Sequence, residues 1–205
     1  MIIATPLDLP IIEPDDWNAF WEIWNNHAEN LVKVKPNVAT SLATLGASNF
    51  WKGIDIFSQP YGLTAWSAPF VDIKESLPKL YNTCSTLPIE NVYRVRLITS
   101  LQNILSHTDD SVDKWSIRAY FHYTDLRSQW YFTKPHDING TRQYLHLPNE
   151  TNWFAYNDKH CWHGTDYNPD CPKILLQVFS LRNNLSLVNN SIEKYKDYTI
   201  TLNEQ

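Results

Sequence analysis

Glycine is scarce in this chain of 205 residues, with only five. None of the five belongs to a phosphate-cradling Gly-rich loop or a Gly-x-Ser-x-Gly elbow, so nucleotide-loop and serine-nucleophile chemistries have no support. Cysteine is nearly as rare. Cys84, Cys161 and Cys171 make no disulfide framework, and the nine-residue gap between the last two is not a zinc-knuckle spacing. None of them sits in the context of an activated thiol. A reducing compartment is the simpler setting. No run of about 18 apolar residues occurs, so no transmembrane helix is expected. Met1–Pro6 lacks the basic and apolar regions of a signal peptide, which makes a cytoplasmic location the expectation. An excess of basic charge is also missing. The formal net charge is -5, which argues against a dedicated nucleic-acid binder.

Aromatic residues are abundant, with nine Trp, eleven Tyr and eight Phe. They suit an ordinary core biased toward strands, and the sharper alternative is a pocket or a carbohydrate-binding face. The length fits one domain over 1–205, since β-rich domains often run to ~200–250 residues. No repeat, low-complexity tract or linker marks a second one.

Residues 1–14 read as an extended, Pro-punctuated lead-in. Asp15 or Asp16 can cap a helix through Asn26, whose Trp17, Phe20, Trp21 and Trp24 recur at helical spacing. Residues 50–57 and 63–66 look like strands, and 72–82 suggests a helix interrupted or started by Pro78. From residue 90 the pattern is strand after strand: 93–99, 115–122, 129–133, 144–147, 152–156 and 173–179. In the second of these, Trp115, Ile117, Ala119 and Phe121 form an apolar face, and Ser116, Arg118, Tyr120 and His122 a polar one. Pro135–Gly140 reads as a turn in which Asn139-Gly140 supplies positive φ. Residues 184–202 are mixed and are placed at a sheet edge. A helical lead-in over about 1–90 and a β core over about 91–182 point to a mainly β fold, an antiparallel double sheet of jelly-roll type flanked by N-terminal helices. Such a shape opens at one end into a pocket.

The chemistry-bearing stretch is Ser106-His107-Thr108-Asp109. On an extended segment residues i and i+2 project to the same side. One imidazole and one carboxylate therefore reach one metal from a rigid support, and a third ligand from another strand completes a face of an octahedron. That is the two-histidine, one-carboxylate arrangement of non-haem Fe(II) sites. The bland reading of the same residues is a surface turn at Asp109-Asp110. Downstream, His163 stands in Cys161-Trp162-His163-Gly164, ten residues before Lys173. Its neighbouring glycine and its spacing to Lys173 favour it as third ligand, with His160 as the alternative. Lys173 opens an apolar strand. A cation there needs a partner, which a bound carboxylate would be, unless the side chain snorkels to water.

The order His107-Thr108-Asp109, Trp162-His163-Gly164, then a cation ten positions on resembles the Fe(II)/2-oxoglutarate-dependent dioxygenase superfamily over roughly residues 90–180. The run Arg94 to Asp109, with a following strand that carries Arg118, most resembles its aspartyl/asparaginyl β-hydroxylase-like branch. The resemblance implies a double-stranded β-helix, iron bound by His107, Asp109 and His163, and 2-oxoglutarate held at its distal carboxylate by Lys173. It implies a second contact to cosubstrate or substrate from Arg118, with dioxygen and a peptide or small-molecule substrate as partners. Two features depart from it. The cation is Lys where Arg is commoner in this branch, and Leu175 stands where a small hydroxyl residue is usual. Two other classes compete with a hydroxylase. A silent carbohydrate-type jelly-roll module would expose its tryptophans, and a cupin-like metalloenzyme would keep the metal without 2-oxoglutarate.

Overall fold

The computed structural model describes residues 1–12, 18, 51–58, 78–90, 92–100, 103–108, 115–120, 130–137, 139–157, 159–168, 174–180 and 183–202. The expected strand at 63–66, and all of the expected helix after Asp15 except residue 18, lie outside these residues. Among the described residues there are eleven strands: β1 (Ile2–Pro6), β2 (Trp51–Ser58), β3 (Val92–Ser100), β4 (Ile104–His107), β5 (Trp115–Tyr120), β6 (Trp130–Thr133), β7 (Gln143–Tyr144), β8 (Trp153–Asn157), β9 (Trp162–Thr165), β10 (Ile174–Ser180) and β11 (Ile200–Thr201). The helices are α1 (Pro78–Ser85) and α2 (Leu185–Lys194), with a 3-10 turn at Lys196–Tyr198. Pro78 starts α1, the position where a missing N–H and a fixed φ cost least.

The strands make two sheets, one ordered β11-β1-β8-β5-β10-β3-β2 and the other β4-β9-β6-β7. Neighbouring strands pair antiparallel throughout. Counted from β3, the eight consecutive strands to β10 follow the order 1-8-3-6 in the larger sheet and 2-7-4-5 in the smaller. This is the connectivity of a jelly roll, or double-stranded β-helix, as the strand pattern predicts.

Apolar side chains divide by sheet face. Ile117, Ala119, Trp153, Ala155, Leu176 and Val178 cover the outer face of the larger sheet, and pack with Leu7, Leu9 and Ile12 of the N-terminal segment and Val188 of α2. A second cluster fills the space between the sheets, with Trp130 and Phe132 from β6, Phe154 and Tyr156 from β8, and Leu175 from β10. Trp130, Phe132, Phe154 and Tyr156 are wholly buried, and each such burial contributes on the order of 1.5–3 kcal/mol.

Several details differ from the sequence pattern. The first third is not only helical, because β1 inserts between β8 and β11, and β2 forms the far edge beside β3. The lead-in at 1–14 is thus partly structural sheet. In the turn after β6 the residue with positive φ is His136, at 62°, not Asn139 or Gly140. The strand expected at 144–147 is shorter and earlier, at Gln143–Tyr144. The segment 184–202 does close the sheet edge, through β11. Among the described residues no helix is long and apolar enough to cross a membrane.

Candidate metal centre

β4 and β9 lie side by side in the smaller sheet, and their register places His107 directly opposite His163. The two rings are 4.5 Å apart between centroids, inclined at 48°. Between the paired positions Ile104↔Thr165 and His107↔His163, β4 carries one residue more than β9. Such an irregularity bends a strand and re-aims its side chains. His107 is half-buried at the strand end, and its Nδ1 lies 2.8 Å from the Leu105 carbonyl oxygen. With Nδ1–H donating to that carbonyl, the lone pair sits on Nε2. A backbone carbonyl orienting the far nitrogen is the usual support of a metal-binding imidazole. His163 is 2% exposed.

Gly164 makes this pairing possible. A Cβ there would collide with the Tyr131 hydroxyl and lie 2.6 Å from the Ile104 carbonyl oxygen. Tyr131 of β6 uses the space to donate its hydroxyl to Ile104 O at 3.1 Å, reaching across β9 to β4. A second cross-link, Ser106 Oγ to Thr133 Oγ1 at 2.5 Å, ties β4 to β6 again. Burial pushes the Tyr131 phenol above its ordinary range, while the Arg142 guanidinium over its ring pulls it part of the way back. Arg142 is in turn paired with Asp166 at 2.8 Å, and Tyr144 donates to the other oxygen of that carboxylate at 2.9 Å.

Aromatic rings enclose His163. The Trp130 indole stacks parallel to it, with centroids 5.4 Å apart and planes at 6°. Tyr156, from the larger sheet, approaches its ring to 4.5 Å, with Oη 3.4 Å from Nε2. Behind Tyr156 stands Arg118, 2% exposed. Its Nη2 donates to Tyr156 Oη at 3.0 Å and its Nη1 to Ile117 O at 3.1 Å. The guanidinium also lies 5.6 Å from the centre of the Phe179 ring. Ser116 and Arg118, on the face of β5 that reads as polar, are therefore buried, and Arg118 points between the sheets toward the histidines. Sequence alternation separates two faces of a strand, but it does not say which of them meets the second sheet.

Of the residues singled out from sequence, the fold brings together His107 and His163, and it sets Arg118 one tyrosine away. Asp109 and Lys173 lie outside the described residues. Among the described residues no group of three or more His, Cys, Asp and Glu side chains gathers at one point. His160, the alternative ligand, sits in the turn between β8 and β9, where its N–H donates to Asn157 O at 3.2 Å. Tyr156 and Trp130 went unseen as site residues. Nothing local distinguishes them from other core aromatics, and only sheet-on-sheet packing sets them against His163.

No family model and no curated protein matches the chain. Among solved structures, 34 chains match. One is a prolyl hydroxylase from Trichoplax adhaerens in complex with a hypoxia inducible factor oxygen degradation domain peptide fragment, with 12% identity, a TM-score of 0.48, and coverage of 89% of this chain and 87% of that one. Another is a Pseudomonas putida prolyl-4-hydroxylase, with 12% identity, a TM-score of 0.43, and coverage of 87% and 94%. A third is an oxidoreductase of the 2OG-Fe(II) oxygenase family from Burkholderia pseudomallei, with 10% identity, a TM-score of 0.38, and coverage of 66% and 70%. The jelly-roll order stands on the strand pairing itself.

Proposed function

We propose that this chain is a non-haem Fe(II)- and 2-oxoglutarate-dependent oxygenase that hydroxylates an organic substrate. The observation that carries the reading is the in-register pair of imidazoles at 4.5 Å, one of them oriented by a backbone carbonyl. Two imidazoles side by side on adjacent strands suit a divalent iron, and Asp109, two residues after His107, is the carboxylate that would complete the set. Lys173, immediately before β10, is the proposed anchor for the distal carboxylate of 2-oxoglutarate. Arg118 supplies a second positive charge inside the same space.

When bound, iron with 2-oxoglutarate and dioxygen supplies oxidative decarboxylation, giving succinate and carbon dioxide, and with it the oxidising power for hydroxylation. The chain's own part is placement and exclusion. His107 and His163 hold the metal from adjacent strands. Trp130 and Tyr156 wall His163 off from water. Arg118, held by Tyr156 and the Ile117 carbonyl, keeps a fixed cation where an acid can meet it. For the substrate, an Asp or Asn side chain follows from the resemblance to the aspartyl/asparaginyl β-hydroxylase-like branch, and a free amino acid is the other candidate. The competing carbohydrate-type module calls for exposed indoles. Trp130, Trp153 and Trp162 are instead buried, and Tyr198 is the exposed aromatic among the described residues.

The test is an anaerobic titration of the purified protein with Fe(II) and 2-oxoglutarate, following the visible metal-to-ligand charge-transfer band. The band is expected. Its absence from folded, iron-loaded protein would sink the oxygenase reading, and iron binding without the band would leave a metalloenzyme of another kind.

A further inference from the structure

Tyr156 belongs to β8 of the larger sheet, and His163 to β9 of the smaller. Their rings meet across the space between the sheets at 4.5 Å, with Tyr156 Oη 3.4 Å from His163 Nε2. Both residues are buried, Tyr156 wholly so. The direction of the contact follows from the groups around it. Arg118 Nη2 donates to Tyr156 Oη at 3.0 Å. A guanidinium has no lone pair, so it cannot accept the phenol proton. An unprotonated imidazole nitrogen can, and the Tyr156 O–H donates to Nε2. His163 is then the tautomer with its proton on Nδ1. His107 reaches the same state by another route, because its Nδ1–H donates to the Leu105 carbonyl. Both imidazoles therefore carry their lone pair on Nε2.

Packing keeps His163 in that state. The Trp130 indole lies parallel to its ring at 5.4 Å, and Tyr156 is inclined to it at 51°. Trp130 and Phe132 also pack against Tyr156, with centroids at 5.8 Å and 5.6 Å. Neither ring can turn away from the other without opening a hole in a dense core. The contact also has a drawback. Nε2 has one lone pair, which a hydroxyl and a metal ion cannot share. Metal binding at Nε2 must break the hydrogen bond from Tyr156.

We propose that Tyr156 is a positioning residue of the metal centre: its hydroxyl sets the tautomer of His163 in the metal-free protein, and it competes with the metal for Nε2. Tyr156 thus prepares the imidazole and weakens its hold on a divalent cation at the same time. The proposal rests on the two-histidine metal site of the reading above and needs no 2-oxoglutarate.

The experiment compares the full chain with Tyr156→Phe, which keeps the ring and removes the hydroxyl. Calorimetry gives Kd for Mn(II) and Co(II) with no 2-oxo acid present, and urea unfolding gives the midpoint of each metal-free protein. In Tyr156→Phe, Kd for both ions is expected to fall roughly threefold to tenfold, the effect of losing one competing hydrogen bond. Its metal-free midpoint is expected to fall too, because Arg118 loses an acceptor. A merely structural Tyr156 would lose stability and metal affinity together, so the opposite directions separate the two roles. Long-range proton–nitrogen correlation spectra of the metal-free parent provide a readout that needs no folded variant at position 156. With the His163 signals assigned by their loss in His163→Ala, they are expected to show Nδ1 protonated and Nε2 unprotonated. An unchanged or raised Kd in Tyr156→Phe overturns the proposal, as does a parent His163 protonated on Nε2, and either result leaves the metal site standing. Failure of the parent chain to bind either ion overturns that site, and this proposal with it.

Discussion

Arg118 concentrates the residue-scale argument. A guanidinium at 2% exposure costs desolvation, which the Tyr156 hydroxyl, the Ile117 carbonyl and the faces of Tyr156 and Phe179 offset in part. Buried charge replaced by an apolar chain of similar volume is often neutral or stabilising. Arg118→Met is therefore expected to keep or raise the denaturant midpoint while weakening 2-oxoglutarate at least tenfold in the titration above. Undiminished affinity in that variant would leave Lys173 as the whole anchor. The stack of Trp130 on His163 gives a second residue-scale prediction. Co(II) bound at His163 should quench Trp130 fluorescence. Both His163→Ala and Trp130→Phe should remove most of that quenching, the first by removing a ligand and the second by removing the reporter. Quenching that survives in His163→Ala would place the metal elsewhere.

Among the elements, the β4–β9–β6 triplet decides whether the imidazoles meet. Gly164 lets the Tyr131 hydroxyl cross β9 and hold β4 at Ile104. Gly164→Ala must push either Tyr131 or the β4 backbone aside. A loss on the order of 1–3 kcal/mol is expected, with faster hydrogen exchange at the β4 amides and weaker metal binding than the stability loss alone explains. Unchanged exchange in β4 would show that the strand is held by other means. Tyr131 adds a pH dependence. Its phenol is held above the ordinary 10.0 chiefly by burial, so the native state keeps a proton that the unfolded chain releases. Its contribution is thus complete below about pH 10 and is lost as pH rises through the raised value. Stability of Tyr131→Phe is expected to fall less steeply above pH 10 than that of the parent chain, as read from urea midpoints across that window.

For the whole molecule, closure of the larger sheet depends on chain ends far apart in sequence. β1 is hydrogen-bonded on one side to β8 and on the other to β11, with Leu202 N donating to Met1 O at 2.9 Å. Removing residues 1–6 would expose the edge of β8, and would take Ile3 and Ala4 out of the inter-sheet cluster. An exposed strand edge invites association. The truncated chain is expected to unfold at lower urea concentration and to scatter light at concentrations where the intact chain does not. A cooperative, monomeric truncation product with the parent midpoint would contradict the structural role of β1.

Amino-acid order alone determined what is local. Alternation marked β3 and β5, an apolar run marked β10, Pro78 marked the start of α1, and the spacing His-x-Asp, then His, then Lys marked the candidate site residues. These signals are legible because backbone geometry gives strands and helices fixed periods. Only the tertiary structure decided which face of β5 looks inward and why position 164 is glycine. Each of these depends on strand register between segments dozens of residues apart. Register is set by which apolar faces can be buried together, and a pairwise fit of that kind is written in no single stretch of the chain. The meeting of His107 with His163 shows both contributions. The chain supplied two imidazoles 56 residues apart, and the pairing of β4 with β9 made them neighbours.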